Sequence, residues 1–321
     1  MKKLVLFAVS MLASVLLYLG VFGVVQRPLT LDNMAPLMQH KLAHALALPA
    51  PRLLVLAGSN GRYSHRCQAL RAATGWPCSN LSLAVGVGLD FQLQQIEAQL
   101  QAGDVLYLPL EYSQYGVSQD EMESGAENTL LVHHFRAQLW SLPARRIARA
   151  YGSFDLPFLT HGLLEMALAR TGFERRSSAA SLTPEGDEHG HTAASGHAFE
   201  AILRSAGFDD APMPVQSHAL EIIDAFLRRA AQQSVQVVGG LPTTPDSMAL
   251  DGAVVARLQE LFARHGHAFL MLPNRSQYPL SCFFDTLYHL HEQCQLQHSQ
   301  ALGEALLPLL PHRPAAHADA R

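Results

Sequence analysis

The stretch Leu53-Leu54-Val55-Leu56-Ala57-Gly58-Ser59-Asn60-Gly61 constrains this chain more than any other. Its apolar run is strand-like, the Gly-Ser-Asn-Gly that follows cannot continue a strand, and the residues beyond are compatible with helix. A strand turning tightly into a helix belongs to an α/β sheet. It lifts the serine hydroxyl to the carboxyl edge of that sheet, where backbone N–H groups can hold an oxyanion. Near the other end, Asp285-Thr286-Leu287-Tyr288-His289 offers a carboxylate and an imidazole. Ser59, His289 and Asp285 together supply the nucleophile, base and orienting acid of a Ser-His-Asp site.

The surrounding sequence keeps the same rhythm. Strands are expected at 52–57, Asn80–Leu83, Val105–Leu110, Val235–Val238 and 268–272. Helices are expected over about 64–74, 90–101, 217–232, 251–265 and 291–309. In the second of these, Phe91, Leu93, Ile96 and Leu100 fall on one face. Strands alternating with helices predict a doubly wound parallel sheet, an α/β/α architecture. Residues 116–216 break the rhythm and read as a helical insertion, with helices near 128–150 and 156–171. A polar, small-residue loop follows from Arg175 to Gly196. Residues 311–321 read as a disordered tail.

With 321 residues, 49% hydrophobic and 16% charged, the chain is long enough for one large domain with insertions or two small ones. A net charge of −4 gives no reason to expect a nucleic-acid partner. Lys2-Lys3 precedes an uncharged apolar run from Leu4 to Gln26, long enough at 1.5 Å per residue to span a bilayer core of roughly 30 Å. The end of the run, Gly20 to Val25, matches a small-x-small cleavage site poorly, so residues 1–26 read as an uncleaved signal anchor and 27–51 as a membrane-proximal helix and linker. The lysines then place the start of the chain in the cytoplasm and residues 52–310 in the periplasm, as a single-pass inner-membrane protein. The other reading of the run is a buried core helix. Cys67, Cys78, Cys282 and Cys294 form two sequence-local pairs. In an oxidising compartment, 67–78 and 282–294 linkages would clamp the segments beside both halves of the site. Four cysteines allow three connectivities, and free buried thiols are the alternative.

Four blocks, Ala57-Gly58-Ser59-Asn60-Gly61-Arg62, Asn80-Leu81-Ser82, Gly103-Asp104-Val105-Leu106 with Glu111-Tyr112, and Phe284 to Leu290, resemble the SGNH/GDSL hydrolase superfamily. Within it they resemble the membrane-anchored bacterial branch related to alginate O-acetylation proteins and the D-alanine transfer protein. The resemblance covers roughly 50–115 and 217–310. It implies that Ser59 is the nucleophile, His289 the general base and Asp285 its orienting acid, with no organic cofactor or metal. It also implies an oxyanion hole built from the Ser59 N–H and an N–H of the Gly86–Gly88 turn, Gly86 first, with Asn60 and Glu111 in the oxyanion and substrate-binding set. Where the family often has Gly-x-Asn after the third strand, this chain has Pro109-Leu110-Glu111-Tyr112. An ionised Glu111 cannot donate the hydrogen bond that an asparagine would. That leaves it to pin the Ser59 turn through backbone N–H groups, to bind an acceptor hydroxyl or to face solvent. Acid and histidine are also four apart, where many relatives have three.

Each of these residues has a plainer reading: a turn serine capping a helix, a histidine satisfied by backbone, an aspartate N-cap. His133-His134 and Glu188-His189-Gly190-His191 could bind a metal loosely, but they read first as surface or loop histidines, because no paired helical spacing supports a closed site. Arg145-Arg146 and Arg175-Arg176 read as solvated faces. The function expected is acyl transfer or ester hydrolysis, most simply of acetyl, on a cell-envelope or exported polysaccharide. The acylated glycan would be the substrate, and a membrane-held acyl-donor protein the natural partner. The rival expectation is a non-catalytic glycan-binding or scaffold subunit on the same fold.

Overall fold

A computed structural model describes residues 1–173, 179–207 and 216–311. The backbone divides into two compact units, one of Met1–Pro36 with Glu123–Ser178, the other of Leu37–Met122 with Ala179–Arg321. In the first unit, the helix Lys2–Val24 has a mean hydropathy of 2.5 and is long and apolar enough to cross a membrane. Its apolar side chains from Leu4 to Leu17 point outward rather than into a core. Near its end, Phe22 packs with Phe154 and Phe158, at ring separations of 5.1 and 6.2 Å.

Among the described residues of the second unit, five parallel strands form the central sheet. They are β1 (Leu53–Val55), β2 (Cys78–Asn80), β3 (Val105–Leu108), β4 (Gln236–Gly240) and β6 (Ala268–Leu270), in the order β2-β1-β3-β4-β6. Two short strands, β5 (Thr244–Pro245) and β7 (Gln277–Tyr278), pair separately. Successive side chains point to opposite faces and both faces are covered, which explains why β1, β3 and β6 are continuously apolar. Leu54, Leu106 and Val237 face the helices Leu89–Glu97, His218–Gln232 and Gly252–Ala263. Leu53, Val55, Val105, Tyr107 and Val238 face Cys67–Thr74 and Glu292–Leu306. The mixed α/β fold with a parallel sheet is therefore as the sequence reads.

Because β2 and β3 lie on opposite sides of β1, successive connections leave the sheet in opposite directions. That switch point is where such sheets open a crevice at their carboxyl ends. Ser59 follows β1, Gly86 follows β2 and Glu111 follows β3, so all three come to the same edge.

The membrane-proximal helix expected within 27–50 is Met34–Ala47, and from Leu37 on it belongs to the sheet unit. There Lys41 Nζ donates to the carbonyls of Asn80 and Gly186. The insertion is also divided: Glu123–Ser178 groups with the N-terminal residues, while residues from Ala179 return to the sheet unit. The Asp187 carboxylate accepts from Cys67 N–H at 2.9 Å, and Asn80 N–H donates to Glu185 carbonyl. This stretch is held by partners more than a hundred residues away, which its polar composition alone does not indicate. Residues 312–321, expected to be disordered, and Arg175-Arg176 lie outside the described residues.

Candidate active site

Ser59 opens the helix Ser59–Ser64 directly after Gly58. A first-position N–H has no carbonyl within its own helix to bond, so the Ser59 N–H remains a free donor for that helix. A side chain on Gly58 would press on Val85 Cγ2 at 2.5 Å and Glu111 Oε1 at 2.7 Å, so only glycine lets the turns after β1, β2 and β3 approach this closely. The helix is fastened from below by hydrogen bonds. Asn80 Nδ2 donates to Gly61 carbonyl at 2.9 Å, and Ser82 Oγ accepts from Ala57 N–H at 2.9 Å.

His289 arrives on a small looped segment closed by a bridge between Phe283 and Leu290 and by the Phe284 N–H to His289 carbonyl bond. Ser64 and Thr243 tie this segment to the helix Ser59–Ser64. Their hydroxyls are hydrogen-bonded to each other at 2.7 Å and lie 3.0 and 2.8 Å from the Tyr288 carbonyl, to which the hydroxyl not donating to its neighbour donates. The ring of Tyr63 stacks flat on the His289 imidazole, with centroids 4.2 Å apart and planes 9° from parallel. Cys282 and Cys294 form a disulfide that closes the segment, and Cys67 with Cys78 forms the other, so both sequence-local pairs are made.

The three expected side chains come together. His289 Nε2 lies 2.8 Å from Ser59 Oγ, and His289 Nδ1 lies 2.6 Å from Asp285 Oδ1. The carboxylate accepts a hydrogen bond from Nδ1–H, which leaves Nε2 as the acceptor for the serine hydroxyl. Burial would raise the Asp285 pKa, but the hydrogen bond from His289 and the charge of that ring outweigh it and hold it below the usual carboxylate value. Acid and base four apart are accommodated by the looped segment. Arranged this way, the serine can lose its proton to the imidazole as it attacks a carbonyl.

Glu111 takes the first of the three roles open to it. Its Oε1 accepts from Asn60 N–H at 3.2 Å, and its side chain also caps Gln114 N–H. Gln114 returns the contact, its Oε1 accepting from Glu111 N–H and Gly58 N–H. Burial pushes the Glu111 pKa up, while the His289 charge, the Asn60 N–H and the Ser59 hydroxyl partly offset it. Asn60 departs from the expected binding role. It is fully buried, and its Nδ2 donates to Pro109 carbonyl at 2.8 Å, while its Oδ1 meets no hydrogen-bond partner among the described residues. Gly86 is exposed on the turn Val85–Val87. Hydrogen bonds of that turn run from Val87 N–H to Ala84 carbonyl and from Gly88 N–H to Val85 carbonyl, leaving the Gly86 N–H out of them.

Glu188 and His191 are buried supports rather than loop groups. Glu188 pairs with Arg62 at 2.6 Å, and the His191 ring sits edge-on to Tyr63, its pKa pushed down to about 4, chiefly by burial. Arg146 is likewise buried and donates to Asn128 Oδ1, whereas Arg145 pairs with Glu123. The sequence offered no signal for Tyr63, Ser64, Thr243 or Gln114. Asn80 and Ser82 stood in a family block without a role. No protein-family model, curated protein or solved structure matches this chain.

Proposed function

We propose that this protein is a membrane-anchored, SGNH-type serine acyltransferase or esterase. It would act on acetyl groups of a cell-envelope or exported polysaccharide, with the sheet unit in the periplasm. The observation that carries the reading is the continuous chain from Ser59 Oγ through both nitrogens of His289 to Asp285, at 2.8 and 2.6 Å. The two disulfides support an oxidising compartment, and the helix Lys2–Val24 supports an anchor that keeps the unit near a membrane-held acyl donor. Ser59 attacks the ester carbonyl while His289 takes its proton. The negative charge that develops on the carbonyl oxygen is held by the N–H groups of Ser59 and Gly86. His289 returns the proton to the departing alcohol, leaving an acyl-serine. It then activates a glycan hydroxyl or water to release the acyl group, and Asp285 keeps the ring in the competent tautomer throughout.

The test is acetate release from an aryl acetate, with the acetyl content of the exported polymer measured in cells. Ser59→Ala and His289→Ala should each abolish turnover while leaving fold and membrane insertion intact. The double variant should be scarcely worse than either, because both act on one transition state. Asp285→Asn should lose less than Ser59→Ala, since it orients the histidine without bonding substrate. Full activity and full acetylation in Ser59→Ala would overturn the enzyme reading in favour of a non-catalytic glycan-binding subunit.

A further inference from the structure

A second chemistry-bearing cluster lies in the other unit. Asp32 is buried, and its Oδ1 sits 3.0 Å from His133 Nδ1 and 2.6 Å from His134 Nε2. The opposite oxygen, Oδ2, accepts from the Arg27 N–H at 2.5 Å, and His133 Nε2 faces the Phe22 carbonyl at 2.9 Å. We propose that Asp32 Oδ1, His133 Nδ1 and His134 Nε2 form a binding site for one divalent transition-metal ion of the zinc class.

The surrounding hydrogen bonds choose these three atoms. A carbonyl only accepts, so the Phe22 contact fixes a proton on His133 Nε2 and makes Nδ1, which faces Asp32, the nitrogen that a metal ion can take. A ligating histidine normally donates its second N–H to a carbonyl in this way, which sets both tautomer and ring orientation. The Arg27 N–H does the same for the carboxylate, engaging Oδ2 and leaving Oδ1 turned towards the two rings. Without a metal ion, His133 faces acceptors on both nitrogens, a pattern that only the doubly protonated ring satisfies. A metal ion takes the place of the proton on Nδ1 and is shared by Nδ1, Nε2 of His134 and Oδ1.

Two adjacent histidines project about 100° apart on a helix, which is why the sequence alone argues against a shared site. They converge because one uses Nδ1 and the other Nε2, with their rings nearly perpendicular at 89°. The third ligand comes from about a hundred residues earlier in the chain. The three ligand atoms lie within 4.8 Å of one another. Ligand atoms around a tetrahedral zinc ion with bonds of about 2.0–2.1 Å lie roughly 3.3 Å apart, so the two contacts to Oδ1, now 3.0 and 2.6 Å, lengthen by less than an ångström to admit the ion. Two imidazoles and one carboxylate suit zinc, cobalt or nickel rather than magnesium or calcium, which prefer oxygen. The charge of Arg27 is taken up by Glu165, its Nε 2.9 Å from Oε1, so it does not oppose a cation. The His134 side chain is a quarter exposed, which gives an ion a way in and leaves the fourth position to water. Bound there, the ion would join the end of the helix Lys2–Val24, the Asp32 turn and the helix Thr129–His134.

The test uses the full chain in detergent, without a histidine tag, stripped with a chelator and titrated with cobalt(II) and zinc(II). Wild type should take one equivalent of cobalt with the visible bands of a four-coordinate N/O site, and zinc should displace it and raise the melting temperature. His134→Gln, at the partly exposed ligand, and Asp32→Asn should each weaken zinc binding at least about 100-fold and remove the thermal shift. His291→Ala should leave both unchanged, which excludes the cluster of Cys282, His291 and Cys294 as the source. Absence of a stoichiometric ion, or binding undiminished in a folded His134→Gln, would overturn the proposal. So would binding lost in His291→Ala.

Discussion

Beneath the helix Ser59–Ser64, two fully buried histidines, His65 and His298, form a chain of hydrogen bonds that works only while both are neutral. Tyr278 O–H donates to His298 Nδ1 at 2.9 Å, and His298 Nε2 and His65 Nε2 are 3.3 Å apart. His65 Nδ1 completes the chain by donating to Gly61 carbonyl at 3.2 Å. A proton added to His65 Nε2 would face the His298 N–H, so burial and this geometry act together. The His65 pKa is pushed down to about 4, and that of His298 is held well below the usual histidine value. The unfolded chain takes up these protons near pH 6.5 and the folded chain does not. Their contribution is therefore complete above pH 6.5 and declines as pH falls towards 4, by about 3 kcal/mol for His65 alone. Urea midpoints measured from pH 7.5 to 4.5 should fall steadily across that window, and His65→Gln should flatten the profile. At this scale the sequence made the hydrogen-bonded triad legible, since Ser59, Asp285 and His289 sit in short blocks whose order and separation carry information. The groups that hold them, Tyr63, Ser64, Asn80 and Thr243, act through a few hydrogen bonds or ring contacts across as many as 226 residues. Such pairs leave no local pattern, and Asn60 looked like a binding group only because its burial cannot be read from its neighbours.

Strands and helices of the sheet unit were legible because continuous apolar runs alternate with one-sided helices, which is a local property. The edges were not. Arg52 and Asp104, expected as strand start and turn, form a fully buried pair at 2.5 Å, with Arg52 also donating to the Ala45 and Gln99 carbonyls. A charged residue beside a strand gives no sign of such a partner. The looped segment carrying Asp285 and His289 contains little regular structure, so its shape rests on the Phe283–Leu290 bridge, the Ser64–Thr243 tether and the Cys282–Cys294 disulfide. Replacing both Cys282 and Cys294 by serine should cost about 3 kcal/mol of stability by chain entropy, read as a lower urea midpoint. It should also reduce turnover more than the equivalent change at Cys67 and Cys78, because only the first pair encloses the base. Equal turnover in the two variants would mean that the remaining tethers position His289 unaided.

At the scale of the molecule, the β2-β1-β3 order brings three turns to one edge, and a hydrophobic N-terminal helix accompanies the sheet unit. The topology we propose predicts that alkaline phosphatase fused after Arg321 is active and a cytoplasmic reporter at the same point silent. The reverse result would remove the periplasmic placement. The division of residues 116–216 between two units was beyond the sequence, since polar loops and short helices carry no label for the core they join. The central claim is that Ser59 is an activated nucleophile. Its most direct measurement is covalent labelling of the purified chain with a serine-reactive sulfonyl fluoride, followed by peptide mapping. The account predicts one modification per chain, on Ser59, with labelling slowed at least about 100-fold in His289→Ala, where the base is lost. Labelling spread over other serines, or a rate unchanged in His289→Ala, would contradict it.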